Sequence, residues 1–583
     1  MISSAAPLRR LTLLIHTIRY LRPVQLFGRI WYRCYRPRPD PRLPPPVRRI
    51  ERPFVPPAAR APSLVGPRRF RFLNREGVLV PKTTVAGGAE PSTLDWEPAD
   101  RDRLWRYNLH YFDDLNAADA GRRREWHREL LRDWVRDNPP VTGTGWEPYP
   151  TSLRMVNWIQ WTLTGNTLPA ECLHSLAIQA RWLSKRLERH LLGNHLLANA
   201  KALVFAGLFF EGKEAEGWLA TGLGILEREI PEQVLADGGH FERSTMYHAL
   251  VLEDLLDLYN LVRAYPGAPL PGRLAITGAI TDAIARMGDW LQTLCHPDGE
   301  IAFFNDAALG IAPAPAELAA YAGRLGLAPP AMPVAAAPSP AAPISTRLVH
   351  RKDSGYIRAS LGHAVAFLDV APLGPDYLPG HGHADTLSFE LSVFGERVIV
   401  NGGTSRYGTG RQRLRERETR AHSTVEIDGK SSSEVWSGFR VARRARPFGL
   451  RIQETPDCLE VTCSHDGYRR LPYKPIHRRG WRMTPGGLQV SDWVSGLARA
   501  ALAAHARFIV PPGIGIEQRD DNSWTLVLAG GRRLELSVIW GTGRVEPARY
   551  APEFGKVLPA RCLTVAPAEG RMVTVFEWPA VEG

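Results

Sequence analysis

Cysteine is scarce: there are six in 583 residues (Cys34, Cys172, Cys295, Cys458, Cys463 and Cys562), and no two form a CxxC pair. That excludes a disulfide scaffold and a zinc ribbon. Thiols so scattered read as small buried hydrophobes, with only Cys458 and Cys463 leaving one disulfide open. Long apolar runs are also missing. The longest, 202–210, falls well short of the ~18 residues of a spanning helix. The N-terminal apolar stretch Leu11–Ile15 is shorter than the ~7–15-residue core of a cleavable signal. Neither an HExxH zinc motif nor a helix-turn-helix, zinc-finger or RNA-sheet signature occurs. Glycine (52) and proline (49) together stay below the ~25–30% that marks a disordered or fibrous chain.

Positive charge is present in excess, and it is local. Residues 1–50 hold eleven arginines and one acid (Asp40), a net of +10. Residues 401–450 carry +6 and the remainder −3. Local basic regions point to an anionic partner, or to a solvated face. A steep salt dependence of DNA binding would mark a nucleic-acid protein, but no recognition motif accompanies the charge, so no specific nucleic-acid partner is expected. Residues 9–33 mix Leu, Ile, Phe and Trp with Arg at helical spacing. This suits either peripheral membrane contact or a basic helix packed on the body.

Residues 36–66 are rich in Pro and Arg and read as an extended connector. From about 100 to 325 apolar residues recur at three- and four-residue spacing, which predicts a series of amphipathic helices. Residues 326–346 are Pro/Ala-rich and uncharged, a linker. Beyond it the period is two: Leu387, Phe389, Leu391 and Val393, a turn at Gly395, then Val398–Val400 read as a hairpin. Shorter strands are expected through to residue 539. Helices first and strands later predict an α+β or two-domain chain. The domains are placed at 1–66 (basic helix and connector), 67–325 (helical), 326–346 (linker) and 347–583 (strands).

Polar chemistry collects in a few places. In Pro379-Gly-His381-Gly-His383-Ala-Asp385, an extended backbone puts His381, His383 and Asp385 on one face, a combination suited to a metal. His422 opens a later strand. Asn194, His195 and Asn199 interrupt an otherwise apolar helix. The stretch 237–248 packs Asp237, Glu242, Arg243, Tyr247 and His248 together, and a Tyr–His pair suits proton transfer. Tyr107, Asn108 and Trp146 belong to aromatic clusters that fit either sugar rings or helix packing.

Taken in order, WRYNLHYFDDL, WEPYPTSLRMVNW, GNHLLANAKAL, DGGHFERSTMYH, HGHADTLSFEL and AHSTVEIDG resemble the heparinase II/III family of polysaccharide lyases over residues 100–440. The resemblance implies an α+β multidomain fold: an incomplete (α/α) toroid followed by an antiparallel β-sandwich. It implies β-elimination on an acidic, uronate-containing polysaccharide and a periplasmic or secreted location, while the lack of a clear signal peptide leaves a cytoplasmic one open. Asn194 matches the carboxylate-neutralising position, Tyr247 the catalytic tyrosine and His381 the catalytic histidine. His383 and His422 match two ligands of a structural divalent metal, zinc. The third ligand, usually Asp, falls on Asn401, and an amide is a weaker ligand than a carboxylate. His195, Asn199, Glu242, Arg243, His248, Tyr107, Asn108, Trp146 and Arg420 are expected around the site. Arg243 and 411–420 supply the positive field that a tyrosine of ordinary pKa ~10 needs for activation. A second reading on the same fold is a glycan-handling protein of exopolysaccharide assembly.

Overall fold

The computed structural model describes residues 5–82, 93–327, 347–497 and 503–579. From residue 328 on, the expected linker lies outside these. Two helices come first, α1 (Ala5–Ile18) and α2 (Pro23–Cys34). The connector then runs extended along the helical body. Proline offers no N–H for a ladder, so side chains of the body hold the strap instead. Arg181 donates to the carbonyls of Arg42 (2.6 Å) and Leu43 (2.9 Å), and the Asn260 amide brackets Val55 from both sides (3.1 and 2.7 Å). A three-stranded sheet over Leu64–Gly66, Arg69–Phe72 and Arg75–Val78 follows. It buries Phe70 and Phe72, alternate residues of one strand as the pleat requires.

The helical domain comprises α3 (Arg103–Tyr111), α4 (Arg124–Asp137), α5 (Pro148–Leu163), α6 (Ala170–Lys185), α7 (Gly193–Phe209), α8 (Lys213–Gln233), α9 (Thr245–Ala264), α10 (Arg273–Thr293) and α11 (Pro315–Arg324). Helices α3, α5, α7 and α9 pack in succession as an inner row, with α4, α6, α8 and α10 outside them. This is the incomplete (α/α) toroid. Nearly every residue of α7 is buried, which explains why its sequence is apolar all round. Tryptophans fill the space between helices: Trp134 of α4 meets Trp158 of α5 edge-to-face at 5.7 Å.

The strand-rich half is a sandwich. A five-stranded antiparallel meander spans Leu348–Ile399. It continues through a bridge between Val400 and Ile509 into a four-stranded sheet. An eight-stranded sheet covers the inner face of this layer, and Phe389, Trp481, Phe508 and Phe576 share the core between them. The expected hairpin is present: Phe389–Val393 pairs with Glu396–Ile399 around a two-residue turn with Gly395 at φ +84°. Cys458 and Cys463 lie towards opposite ends of one strand, Cys458–His465, and both are free thiols. The open disulfide is thereby corrected.

The halves meet on a small apolar cluster of Trp290, Phe304, Tyr356 and Phe367, and the helical core also takes in Val400, Ile509, Tyr550 and Phe554 of the sandwich. The segment between α10 and α11 is the joint. Phe303 N–H donates to Glu390 (3.0 Å) and Asn305 N–H to Asp385 (2.9 Å). Asn305 Oδ1 accepts the His383 N–H at 2.9 Å.

Candidate active site

Tyr247 is the third residue of α9. Ser244 caps that helix by accepting the Tyr247 N–H at 3.1 Å, which satisfies one donor of the first turn. The same hydroxyl donates to the Asp306 carbonyl, so the cap fixes Tyr247 against the joint. His381 arrives from the sandwich side. Its ring lies against Tyr247 with centroids 3.8 Å apart and planes tilted by 32°. The Tyr247 hydroxyl is 2.9 Å from that of Tyr407.

The His381 segment is a turn and not the expected strand. Arg417, on the short helix α12 (Arg411–Arg417), donates to the carbonyls of Gly382 (2.8 Å) and Pro379 (3.3 Å). Leu387 sits at φ +62°. The three alternating polar residues therefore do not gather on one face: His381 and His383 both turn to Asp306, and Asp385 turns to the joint. His381 opens to the cleft with 12% of its side chain exposed, His383 is buried beneath it, and Asp385 is spent on the joint.

Asp306 organises this side of the cleft. Its carboxylate is 2.9 Å from His381 Nδ1 and 2.8 Å from His383 Nε2, and it pairs with Arg413 (Nη2–Oδ2 2.7 Å). Burial by itself raises its pKa, but the Arg413 guanidinium and the two imidazoles hold it well below the usual carboxylate range. An ionised carboxylate only accepts, so His381 Nδ1 carries a proton and it is Nε2 that faces away from Asp306. Burial pushes Tyr247 well above its usual pKa, and the neighbouring Tyr407 and Asp306 add to this. Tyr247 therefore stands in the cleft as a phenol that holds its proton. Of the expected activating cations only Arg413 is near, 4.9 Å from the Tyr407 ring and spent on Asp306. Arg243, at φ +59°, turns away and clamps the Ser354 carbonyl at 2.8 Å. Arg420 is exposed on the sandwich beside Glu426 and His505.

The opposite wall belongs to the toroid. Asn194 stands in the first turn of α7, near the Tyr149 hydroxyl. Gly193 before it has φ +55°, and a Cβ there would lie 2.5 Å from Leu378, so glycine alone lets the two halves approach. His195 stacks on Tyr149 at 4.5 Å and lies 3.2 Å from Glu188. Burial would depress its pKa, but the Glu188 carboxylate reverses this and holds it above the usual value. Tyr149, Tyr111 and Tyr107 follow one another at 6.1 and 6.2 Å, with the Tyr107 hydroxyl on Glu147. Glu242 is buried, neither of its oxygens has a hydrogen-bond partner, and one is 3.9 Å from His381 Nε2. Burial raises its pKa.

Four expected residues belong to the scaffold. His248 stacks on Trp290 at 4.2 Å, bonds the Met287 carbonyl, and is pushed down to about 3 by burial. Asn199 ties Ser152 and Glu188 together (3.0 and 3.2 Å). Asn108 bonds the Leu104 carbonyl one turn back. Trp146 is buried and donates to Asn138 at 3.2 Å. Asp306 and Tyr407 are the residues of this site that the sequence reading misses. An acid inside the apolar run Phe303–Leu309, and a lone tyrosine in a glycine-rich loop, were the available signals.

The metal ligands expected at His383, Asn401 and His422 divide. His383 Nδ1 faces His422 Nε2 at 3.1 Å, while His422 Nδ1 donates to the Glu418 carbonyl at 2.9 Å. Between two acceptors, the Asp306 carboxylate and that carbonyl, two imidazoles need three protons to fill all three contacts. Burial pushes His383 down to about 3 and lowers His422. Both rings are then neutral, and two lone pairs point at each other, a donor arrangement that fits a cation. Asn401 is not offered to it. Its amide nitrogen donates to Phe303 (2.9 Å) and Ser388 (3.3 Å), and its oxygen accepts the Ser423 N–H at 3.0 Å. Among the described residues, no three His, Cys, Asp or Glu side chains gather into a metal-holding group.

Two family models match this chain: "Heparinase II/III N-terminus" over residues 90–316 and "Heparinase II/III-like, C-terminal" over 343–578. A heparin-sulfate lyase of Bacteroides stercoris is 27% identical over 257 residues, covering 37% of this chain and 36% of that protein. The match thus spans little more than a third of that lyase's own length. FtsZ-localized protein C of Caulobacter vibrioides is 27% identical over 456 residues, 75% of this chain and 74% of that protein. Among solved structures, heparinase III superposes with a TM-score of 0.64 at 19% identity, covering 84% of this chain and 79% of that one.

Proposed function

Because the chain belongs to the heparinase II/III family, we propose that it is a polysaccharide lyase that cleaves a uronate-containing glycosaminoglycan by β-elimination. The observation that carries this reading is the Tyr247–His381 pair, in which a proton-bearing phenol lies against an imidazole whose second nitrogen is pinned by a buried carboxylate. In β-elimination a base takes the C5 proton, the C4–O4 bond breaks, and an acid protonates the departing O4. His381 Nε2 is the base and Tyr247 Oη the acid. Afterwards the proton on His381 returns to the Tyr247 phenolate beside it, restoring both groups. The C5 proton is acidic enough only when the uronate carboxylate is neutralised. In this reading Asn194, at the positive end of α7, and the buried Glu242 carboxyl supply that neutralisation. The partly exposed Tyr107 and Tyr149 of the tyrosine row offer aromatic faces to the flanking sugars. The test is the ultraviolet absorbance of the conjugated unsaturated uronate over a panel of acidic polysaccharides. A rise on at least one glycosaminoglycan is expected. A folded protein that releases no unsaturated product, yet cuts a glycan by hydrolysis, overturns the reading.

The His383–His422 pair holds a divalent cation, zinc, in the same proposal. When bound, the ion supplies a structural clip between the His381 turn and the segment before Val425, and it takes no part in the proton transfers. Elemental analysis after dialysis is expected to find about one zinc per chain, lost in His422→Ala, with chelation lowering Tm. A zinc-free protein whose Tm ignores chelator overturns it.

A further inference from the structure

Helices α1 and α2 dock in the inverse of the usual manner. On α1, Leu8, Leu11, Ile15 and Ile18 form one stripe at three- and four-residue spacing and are 68, 54, 58 and 42% exposed. On α2, Val24, Phe27, Ile30 and Trp31 are 42, 71, 63 and 63% exposed. What the helices turn toward the body is polar. Gln25 is 1% exposed and donates to the Tyr377 carbonyl at 3.0 Å. Arg22 stacks on the Tyr377 ring at 3.6 Å, and Thr17 accepts the Trp436 indole N–H at 3.0 Å. An amphipathic helix that only covers a protein buries its apolar stripe; these two hold on by their polar side and leave the stripe outside.

We infer that this face seats on an anionic lipid bilayer. Charge selects the occupant. Arg9, Arg10, Arg19, Arg29 and Arg33 are exposed around the stripes, and no acid precedes Asp40. Apolar and aromatic side chains entering the acyl boundary, with arginines at the headgroup level, are the pattern of an interfacial helix. A second copy of the chain is disfavoured, because pairing the face with itself brings the arginine rows together. Among the described residues no helix is long and apolar enough to cross a membrane, so the contact lies in the surface plane. The face adjoins the cleft: Tyr377, which α2 grips, precedes Leu378, which touches Gly193. None of this rests on the lyase reading.

The experiment is flotation of the full chain with vesicles of phosphatidylcholine alone or with one-third phosphatidylglycerol. Anionic vesicles are expected to bind at least about tenfold more protein than neutral ones, less so in high salt. The double substitution Phe27→Glu with Trp31→Glu is expected to weaken binding by about tenfold or more at unchanged Tm and unchanged turnover of soluble glycan. Leu274→Glu, at a residue 90% exposed on α10, is expected to bind as wild type. Vesicle binding that survives the double substitution overturns the proposal. So does a chain that ignores both vesicle types, whether it sediments as a dimer broken by the double substitution or as a monomer whose face serves another macromolecule.

Discussion

Tyr247→Phe is expected to lower kcat by about a thousandfold, within the ~100–10,000-fold that general acid–base help supplies, and to leave KM nearly unchanged. The substitution removes one oxygen. The ring that lies against His381 at 3.8 Å stays, and so does the Ser244 cap, which holds the backbone and not the hydroxyl. The structural loss is the contact with Tyr407, a net cost of about 1 kcal/mol. Rate and stability therefore separate in this variant. The rate loss arises because O4 departs as an alkoxide unless a proton meets it, and Tyr247 keeps its proton available by burial. Steady-state rates of unsaturated-product formation, with a thermal melt beside them, decide the matter. A variant retaining more than a tenth of the activity places the acid elsewhere and removes Tyr247 from the mechanism.

Asp306→Asn is expected to have the largest effect on stability and a rate effect comparable to that of the tyrosine. Arg413 is fully buried, and Asp306 is its salt-bridge partner. Removing one member of a buried pair leaves an uncompensated charge, a cost of about 3–5 kcal/mol. An amide also donates as well as accepts, so it no longer dictates which nitrogen of His381 carries the proton; misassigned tautomers at such a position cost up to ~10⁴ in rate. The two effects come apart in Asp306→Asn combined with Arg413→Met, which is expected to recover much of the stability and none of the rate. If the double substitution restores turnover as well, Asp306 acts only as a counter-ion and does not set the tautomer.

Much of this was legible from residue order. Apolar spacing of three and four through Trp134 and Trp158, then alternation through Phe389 and Leu391, separates the toroid from the sandwich. Asn194, Tyr247 and His381 are named from motifs; the rings of Tyr247 and His381 lie together, and Asn194 stands in the first turn of α7. The failures share a cause: side-chain direction outside regular elements is not written in spacing. Alternating His381, His383 and Asp385 imitate a strand, yet Arg417 gathers their backbone carbonyls into a turn. Arg243 lies four residues from Tyr247, yet a left-handed backbone at its own position sends it to Ser354. Asp306 reads as a surface acid in a loop because the carboxylate's partners, His381, His383 and Arg413, are 75 to 107 positions away. Asn401 looked like a weakened ligand and is a backbone fastener.

The Ser244 hydroxyl, capping α9 with its oxygen and holding the Asp306 carbonyl with its proton, has a bearing on how the protein comes to be active. In the proposed mechanism the acid, Tyr247, belongs to the toroid, the base, His381, to the sandwich, and the carboxylate that orients the base, Asp306, to the segment that joins them. Neither core can acquire function while it folds by itself; the catalytic spacing comes into being only when the two surfaces dock. Turnover is therefore a gauge of docking. On heating, activity should vanish when the seam opens, ahead of any melting of helices or sheets, and on refolding it should return last.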